Sequence, residues 1–352
     1  MLKSVGVLVA LWGMVASLTV NAQSANYLRD SAMRREGAAF IARMPEGLQA
    51  RQEKAVRMAI AGNCTLLEEV RASRNGVETL PDEIKATDIQ GKYRLYAPVL
   101  SSSKKLPLLI YLHGGGWCFG SINSCARFCM ELVREAGVAV LAVEYPLAPE
   151  HPYPAALTCC TEAVSFAFNQ AEAYGFDTEN ISIGGDSAGG NLALATALHL
   201  VYARQMLAVT DSASIPRLRS IVAFYPVTKV WNDRSDSWRQ YGQGYGLDGS
   251  IMEAFNEAYL QGANPDLPLI SPYNAPLEHL AQFPPVLMIN AEKDILCEQG
   301  RQMCDKLTEA GVDVVHEVLP GTTHLFITVE GQPTALGEAV RVAGEFLKRA
   351  DR

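Results

Sequence analysis

The sequence contains no basic cluster and few charged residues: charged residues make up 19% of its 352 residues, with 30 Lys and Arg against 38 Asp and Glu. A protein whose main partner is nucleic acid carries a basic patch, so this class is excluded. Disordered chains combine few apolar residues with a high net charge. Here apolar residues reach 49% and the formal net charge is −8, so we expect a folded chain with a substantial core.

Charge is absent altogether between Lys3 and Arg29. A mostly apolar stretch follows Lys3, and the small residues that end at Ala22 suit a signal peptidase. The apolar run is shorter than the ~20 residues that a membrane-spanning helix needs. The sequence therefore predicts a signal peptide over residues 1–22 and an exported protein, periplasmic or secreted, with no stable membrane insertion after cleavage. An uncleaved membrane anchor is the alternative.

The cysteines form no repeated CxxC pair, so the spacing of a zinc ribbon is absent. All eight follow residue 22, and export would place them in an oxidising compartment where disulfides form. Their spacing gives no connectivity, and the alternative is that they are small buried side chains. They are Cys64, Cys118, Cys125, Cys129, Cys159, Cys160, Cys297 and Cys304.

Apolar strand patterns alternate with helical patterns along most of the chain. This alternation predicts an α/β fold in which helices cover both faces of a mostly parallel central sheet. Residues 25–80 have the periodicity of amphipathic helices, which residues 75–76 and Pro81 interrupt. The predicted strands cover 92–98, 106–112, 137–145, 181–184, 220–225, 285–290 and 312–319. The predicted helices between them cover 126–136, 155–170, 188–206, 299–310 and 334–349.

Residues 227–263 do not fit the alternation. They are rich in glycine and aromatic residues, and they interrupt the order of strands and helices. A long insert of this kind predicts a lid or cap, and the alternative is a connecting helix with core aromatics. The glycines at 242, 244 and 246 follow no apolar strand and form no GxGxxG motif, which argues against a dinucleotide site.

The segment Gly185-Asp186-Ser187-Ala188-Gly189-Gly190 matches the motif GxSxG. A short apolar strand precedes it and a helical run follows it, which is the context of a nucleophile elbow. The glycines are needed because a Cβ atom in so tight a turn would clash with neighbouring backbone. We therefore predict that Ser187 is a nucleophile at a helix N-terminus, where developing negative charge is favoured.

A second segment, His113-Gly114-Gly115-Gly116-Trp117, follows the strand that ends at Leu112. Attack of a hydroxyl on a carbonyl creates an oxyanion, which needs backbone N–H donors that side chains do not obstruct. The predicted oxyanion hole consists of the N–H groups of Gly115 and Gly116, together with that of Ala188. We expect His113 to shape this loop rather than act as the base.

A serine nucleophile needs a general base, and the base needs a carboxylate. His324 follows the predicted strand that ends near Leu319, and Asp294 follows the strand over 285–290. Both therefore occupy the loop position where open α/β sheets carry active groups. Glu292 and Glu298 are the competing acids, and Glu298 is expected to begin the next helix. The other histidines are His113, His151, His199, His279 and His316.

The order Ser187, Asp294, His324 is that of α/β hydrolases. From Tyr93 to the C-terminus the chain resembles the hormone-sensitive-lipase-like family of α/β-hydrolase esterases. The resemblance rests on these three residues, on the segments 113–116 and 185–191, and on Glu144-Tyr145-Pro146-Leu147-Ala148-Pro149-Glu150. It implies an α/β-hydrolase fold, the triad and oxyanion donors named above, and a helical cap formed by residues 25–80.

Three positions depart from the family pattern. Pro146 stands where the family usually has Arg, Glu298 where it often has Asp, and Leu325 where it often has Gly. None of them removes a catalytic group.

The expected function is hydrolysis of small-molecule carboxylic esters, and the resemblance implies short to medium acyl chains. No metal or cofactor is required for this chemistry. The alternatives are an amidase, lactonase or peptidase on the same fold, and a non-catalytic binding protein. The sequence does not determine the oligomeric state.

Overall fold

The computed structural model describes residues 25–99, 105–207 and 215–349. The predicted signal peptide lies outside the described residues. No described helix is both long and apolar enough to cross a membrane.

The described residues form one eight-stranded sheet with the order β1-β2-β4-β3-β5-β6-β7-β8. The first two strands are antiparallel to their neighbours, and all pairs from β4 to β8 are parallel. The strands are β1 (Ile84–Ile89), β2 (Tyr93–Pro98), β3 (Leu106–Leu112), β4 (Ala139–Val143), β5 (Phe176–Asp186), β6 (Ile221–Phe224), β7 (Val286–Lys293) and β8 (Val314–Thr323). The predicted α/β architecture with a mostly parallel sheet is confirmed.

Helices cover both faces of the sheet. The first helix, α1, covers residues 25–43. The others are α2 (Leu48–Ile60), α3 (Thr65–Ser73), α4 (Ala126–Ala136), α5 (Ala155–Asn169), α6 (Ala171–Tyr174), α7 (Ala188–Leu207), α8 (Asp236–Tyr241), α9 (Gly249–Leu260), α10 (Leu277–Leu280), α11 (Cys297–Glu309) and α12 (Pro333–Arg349). A 3-10 turn covers Pro272–Asn274.

Strand β3 shows how the sheet divides the core. Leu108, Ile110 and Leu112 pack into the cluster that also contains buried residues of α5, α7 and α11. Leu109 and Tyr111 point to the opposite face, where α4 and α12 pack. Because both faces are covered, β3 is a nearly continuous apolar run rather than an alternating one.

Most predicted elements are present, and β3 and α4 have the predicted bounds. The sequence reading missed β1 (Ile84–Ile89), because only its two end residues are buried and the four between them are exposed or half-buried. It also placed the start of β5 too late, at 181 rather than 176, and the end of β8 too early, at 319 rather than 323. β5 begins at Phe176 and β8 continues to Thr323, so both extend through polar residues that an apolar pattern does not mark.

All eight cysteines are free thiols in the structure. No disulfide joins them. Five of them are buried, as expected from the alternative prediction that the cysteines are small interior side chains. Burial raises the pKa of several of these thiols, with Cys297 and Cys304 reaching about 12, so they stay protonated at neutral pH. The buried cysteines are Cys118, Cys125, Cys129, Cys160 and Cys304.

Candidate active site

Ser187 lies in the sharp turn between β5 and α7, with φ of 55° in the left-handed region. Its N–H donates to the carbonyl of Phe224, and its carbonyl accepts from Asn191 and Val227, so the turn is bonded on both sides. A Cβ atom on Gly185 or Gly189 would overlap the carbonyl oxygen of Leu112. The steric reason for these glycines is therefore confirmed. The strained turn holds the Ser187 hydroxyl at the edge of the sheet.

His324 and Asp294 lie beside Ser187 at the same edge of the sheet. The His324 Nε2 atom is 3.0 Å from Ser187 Oγ, and its Nδ1 atom is 2.6 Å from Asp294 Oδ2. The other carboxylate oxygen of Asp294 accepts the N–H of Leu296 at 3.0 Å. All three side chains are buried. The structure thus brings together the three residues predicted to act as nucleophile, base and acid.

The competing carboxylates point elsewhere. Glu292 contacts Arg34 at 3.1 Å and accepts the N–H of Gly321. Glu298 lies in the first turn of α11, as predicted, where it pairs with Arg301. Neither contacts His324 in the described residues.

A buried glutamine fixes the loop that carries His324. The side-chain oxygen of Gln332 accepts the N–H of Thr323 at 3.0 Å, and its amide nitrogen donates to Thr323 Oγ1 at 2.9 Å. Thr323 immediately precedes His324, so these bonds fix the backbone position from which the His324 side chain extends. The sequence reading missed Gln332 because a single glutamine in a loop carries no motif.

The glycine-rich segment after β3 is fixed by hydrogen bonds between its backbone and the side chains of His113, Tyr145 and Asp186. The His113 ring stacks on Tyr145 with centroids 4.1 Å apart and donates from Nδ1 to the carbonyl of Gly114 at 2.9 Å. Burial lowers the pKa of His113 to about 4, so its ring is neutral at physiological pH. These contacts fit the loop-shaping role expected for His113.

Asp186 is a second residue that the sequence reading did not assign. Its Oδ1 atom accepts the hydroxyl of Tyr111 at 2.9 Å and the N–H of Gly114 at 3.0 Å. The signal was present in the sequence, since Asp186 is the variable residue of the GxSxG motif. Its carboxylate ties the elbow to the glycine-rich segment.

Three backbone donors remain available near Ser187. Asp186 occupies the N–H of Gly114, but no hydrogen bond among the described residues occupies that of Gly115 or Gly116. Ala188 is the first residue of α7, so its N–H lacks an intrahelical acceptor. Gly115 and Gly116 have φ of 117° and 59°, and a side chain on Gly116 would overlap the ring of Phe255. Two of the three predicted oxyanion donors, Gly115 and Gly116, therefore have a backbone geometry that only glycine adopts readily.

Residues from both predicted cap segments, 25–80 and 227–263, line the site. A cavity of about 30 Å³, the first lobe, borders Ser187 and His324. A neighbouring cavity of about 150 Å³, the second lobe, borders Asp186 and shares Arg74, Gly115 and Leu325 with the first. The insert over 227–263 contains α8 and α9. Helix α9 packs on α2, and its Tyr259 stacks on Trp117 with centroids 4.3 Å apart. The walls also include Gln49, Gln52, Arg74, Leu247, Ile251, Met252 and Phe255.

A family model described as the alpha/beta hydrolase fold matches residues 109–328. An arylesterase of Saccharolobus solfataricus is 31% identical over 274 residues, which cover 77% of this chain and 83% of that protein. The chain belongs to the α/β-hydrolase family that includes the hormone-sensitive-lipase-like esterases. The resemblance and the fold expected from it are thereby confirmed.

Other members of this α/β-hydrolase family show the same likeness. An ethyl acetate hydrolase of Pseudomonas putida is 38% identical over 221 residues, which cover 62% of this chain and 65% of that protein. The crystal structure of carboxyl esterase 2 from Tuber melanosporum has a TM-score of 0.71 and 28% identity, covering 79% of this chain and 91% of that one. The chain spans 59–65% of the length of the first curated relatives it matches.

The departure from the family pattern at Leu325 is visible in the backbone of this α/β hydrolase. Leu325 adopts φ of 74°, a left-handed conformation that costs a leucine about 1–2 kcal/mol and a glycine almost nothing. Leu325 borders both lobes of the cavity.

Proposed function

We propose that the protein is a serine carboxylic-ester hydrolase that acts on short- to medium-chain acyl esters of small molecules. The observation that carries the proposal is the chain of contacts from Asp294 through His324 to Ser187, at 2.6 and 3.0 Å. An imidazole bonded on both sides in this way is oriented to take the serine proton, and the adjacent carboxylate stabilises the resulting cation.

The chemistry follows from these positions. Ser187 Oγ attacks the acyl carbon while His324 Nε2 takes its proton, and the N–H groups of Gly115, Gly116 and Ala188 stabilise the oxyanion. The intermediate collapses to an acyl-enzyme when His324 returns that proton to the departing alcohol. A water molecule then attacks the acyl carbon and gives a proton to His324 Nε2. The bond from the acyl carbon to Ser187 Oγ breaks as His324 returns that proton to the serine, which releases the acid and free Ser187.

Two observations support short or medium acyl groups. The space beside Ser187 is about 30 Å³, and the apolar side chains of Ile251, Met252 and Phe255 close it.

We propose that residues 25–80 and 227–263 act together as the cap over this space, because α2 and α9 pack on each other. Relatives named arylesterase and ethyl acetate hydrolase support an ester substrate. Export of the protein is part of the proposal and depends on residues 1–22 alone.

The test is turnover of p-nitrophenyl esters with acyl chains of two to twelve carbons. We expect kcat/KM to be highest at the short end and to fall as the chain outgrows the cavity. Replacement of Ser187 by alanine should lower kcat by a factor of ~10⁴ or more, because nucleophile and base act as a unit. A fluorophosphonate probe should label the unmodified protein and not this variant.

Ser182 offers a matched control, since it is a buried serine on β5 whose hydroxyl bonds to that of Ser220 and not to His324. Ser182→Ala should retain both labelling and turnover. A matched anilide assayed beside each ester separates an esterase from an amidase. Equal activity of Ser187→Ala and the unmodified protein would contradict the mechanism. If the unmodified protein is folded but neither hydrolyses the esters nor reacts with the fluorophosphonate probe, the result would favour a binding protein.

A further inference from the structure

Arg74 lies where the two lobes of the active-site cavity meet. It follows α3 directly, and its side chain borders both the space beside Ser187 and the larger lobe next to Gly115. Its guanidinium carbon is 5.3 Å from the centre of the Phe119 ring. That ring contact orients the guanidinium but leaves its five N–H donors without an acceptor.

The guanidinium of Arg74 has no hydrogen-bond acceptor and no carboxylate partner within the described part of the chain. Other arginines of the same helices differ in this respect. Arg51 pairs with Glu69, Arg57 with Glu53 and Glu257, and Arg71 with Glu150.

The surroundings of Arg74 do not compensate its charge. Desolvation is what lowers its pKa, with no nearby carboxylate to oppose the shift. Asp186 borders the same lobe, but its bonds go to Tyr111 and Gly114. A partly buried arginine without a counter-ion is costly, and a bound anion would remove that cost.

Gln52 adds a second unused donor in the same wall. Its side chain is buried, it borders the space beside Ser187, and its amide makes no hydrogen bond with another described residue. A guanidinium fork and an amide N–H group that face one cavity suit the two oxygens of a carboxylate.

We propose that Arg74 binds an anionic group of the substrate, so that the preferred esters carry a carboxylate or a group of similar charge. This inference depends on the proposed function, because it takes Ser187 as the point of attack. The anion is held one cavity lobe away from the ester bond. It can belong to the acyl group, as in a half-ester of a dicarboxylic acid, or to the alcohol that leaves.

Two pairs of substrates separate these sources, each pair differing only in charge. For the acyl side, mono-p-nitrophenyl glutarate is compared with its terminal carboxamide. For the leaving group, 3-acetoxybenzoate is compared with 3-acetoxybenzamide. We expect kcat/KM of the unmodified protein to favour the carboxylate in one pair by about tenfold or more, mainly through KM, since bonds to a charged group contribute at least this much.

Replacement of Arg74 by glutamine should abolish this preference, because kcat/KM for the carboxylate member of the pair falls about tenfold further than kcat/KM for its neutral partner. Arg74→Lys should restore part of the preference, because it keeps the charge but loses the fork. Arg51→Gln is the matched control: it removes the same charge from an exposed ion pair on α2. It should leave the preference unchanged.

Several results would overturn the inference. One is an unmodified protein that favours neither member of either pair. Another is an Arg74→Gln variant that loses equal activity on charged and neutral substrates, since that loss indicates a structural role. If Arg74→Gln does not fold, competitive inhibition of the unmodified protein decides, and glutarate must inhibit more strongly than glutaramide.

If no ester is turned over, the proposed function fails. Calorimetric binding of 3-hydroxybenzoate against 3-hydroxybenzamide then tests the anion site separately, and absence of a difference rejects it.

Discussion

Asp186 holds its proton to a higher pH than an ordinary aspartate, because burial raises its pKa to about 6. Bonds from Tyr111 and Gly114 and the proximity of His324 oppose this shift without cancelling it. The residue joins the turn at Ser187 to the glycine-rich segment after β3, so its ionisation affects the candidate site and the stability of the fold together. Folded Asp186 binds a proton more tightly than the unfolded chain, whose aspartates have a pKa near 3.9.

The sign of the pH dependence follows. Between about pH 4 and pH 6 the folded state holds a proton that the unfolded state has lost, so this residue's contribution to stability decreases as pH rises through that window. Asp186→Asn removes the titration while an amide oxygen can still accept both bonds. We therefore expect the free energy of unfolding of the variant, relative to the unmodified protein, to increase between pH 4 and pH 7.

Urea unfolding of both proteins at several pH values measures this difference. Other titrating groups contribute equally to both and cancel. A constant difference between Asp186→Asn and the unmodified protein across the window would show that the carboxylate is not destabilised by burial.

At the scale of elements, α1 and α12 enclose the loop that carries His324. Gly37 of α1 packs directly on Gly321, and a Cβ atom there would overlap the Gly321 carbonyl. Glu36, next to it, accepts both the N–H and the hydroxyl of Thr334 at the start of α12. Helix α1 thus positions a loop whose sequence lies almost 300 residues away.

Two glycines in helices provide a contrast. Gly37→Ala introduces a methyl group into a closed contact, and we expect a loss of about 1–3 kcal/mol in stability together with lower kcat, as the His324 loop shifts. Gly337 lies in α12 with open space around it and no positive φ. Gly337→Ala should therefore stabilise the helix by up to about 1 kcal/mol and leave kcat unchanged.

Thermal or urea unfolding of both variants, with p-nitrophenyl ester turnover, measures these changes. Because the same substitution is made in two helices, helix propensity alone predicts a gain in both. A gain at Gly37 without loss of turnover would mean that α1 does not constrain the loop.

For the molecule as a whole, the strands that carry the site could be predicted because their apolar runs are buried on both faces. Loops after β3, β5, β7 and β8 then had to meet at one edge of the sheet. This argument located Ser187, Asp294 and His324 as neighbours. It could not locate Arg74, Gln52 or Gln332, because their positions depend on how distant helices pack and no local pattern marks them. Strand β1 was missed for a related reason, since an edge strand with one solvated face carries little apolar signal.

The segment before Arg29 yields one prediction for the whole chain. We expect exported protein to begin near Gln23, because the apolar run and the small residues before it suit signal peptidase. N-terminal sequencing of protein recovered outside the cytoplasm measures this directly. Replacement of the apolar Leu11 by arginine should retain the protein inside the cell, whereas Tyr27→Ala, beyond the cleavage site, should not. Exported protein that still begins at Met1 would favour the membrane anchor.

The contact between Gly37 and Gly321 also bears on the timing of synthesis. A ribosome makes Gly37 early and Gly321 almost at the end, so no chain that stops before Gly321 can form the contact. Until the start of α12 has been made, Glu36 cannot accept the hydrogen bonds of Thr334. The contact that holds α1 against α12, beside the His324 loop, is then missing. Ser187 is thus translated long before His324, and any product that ends before residue 324 lacks one of the three residues proposed to form the triad.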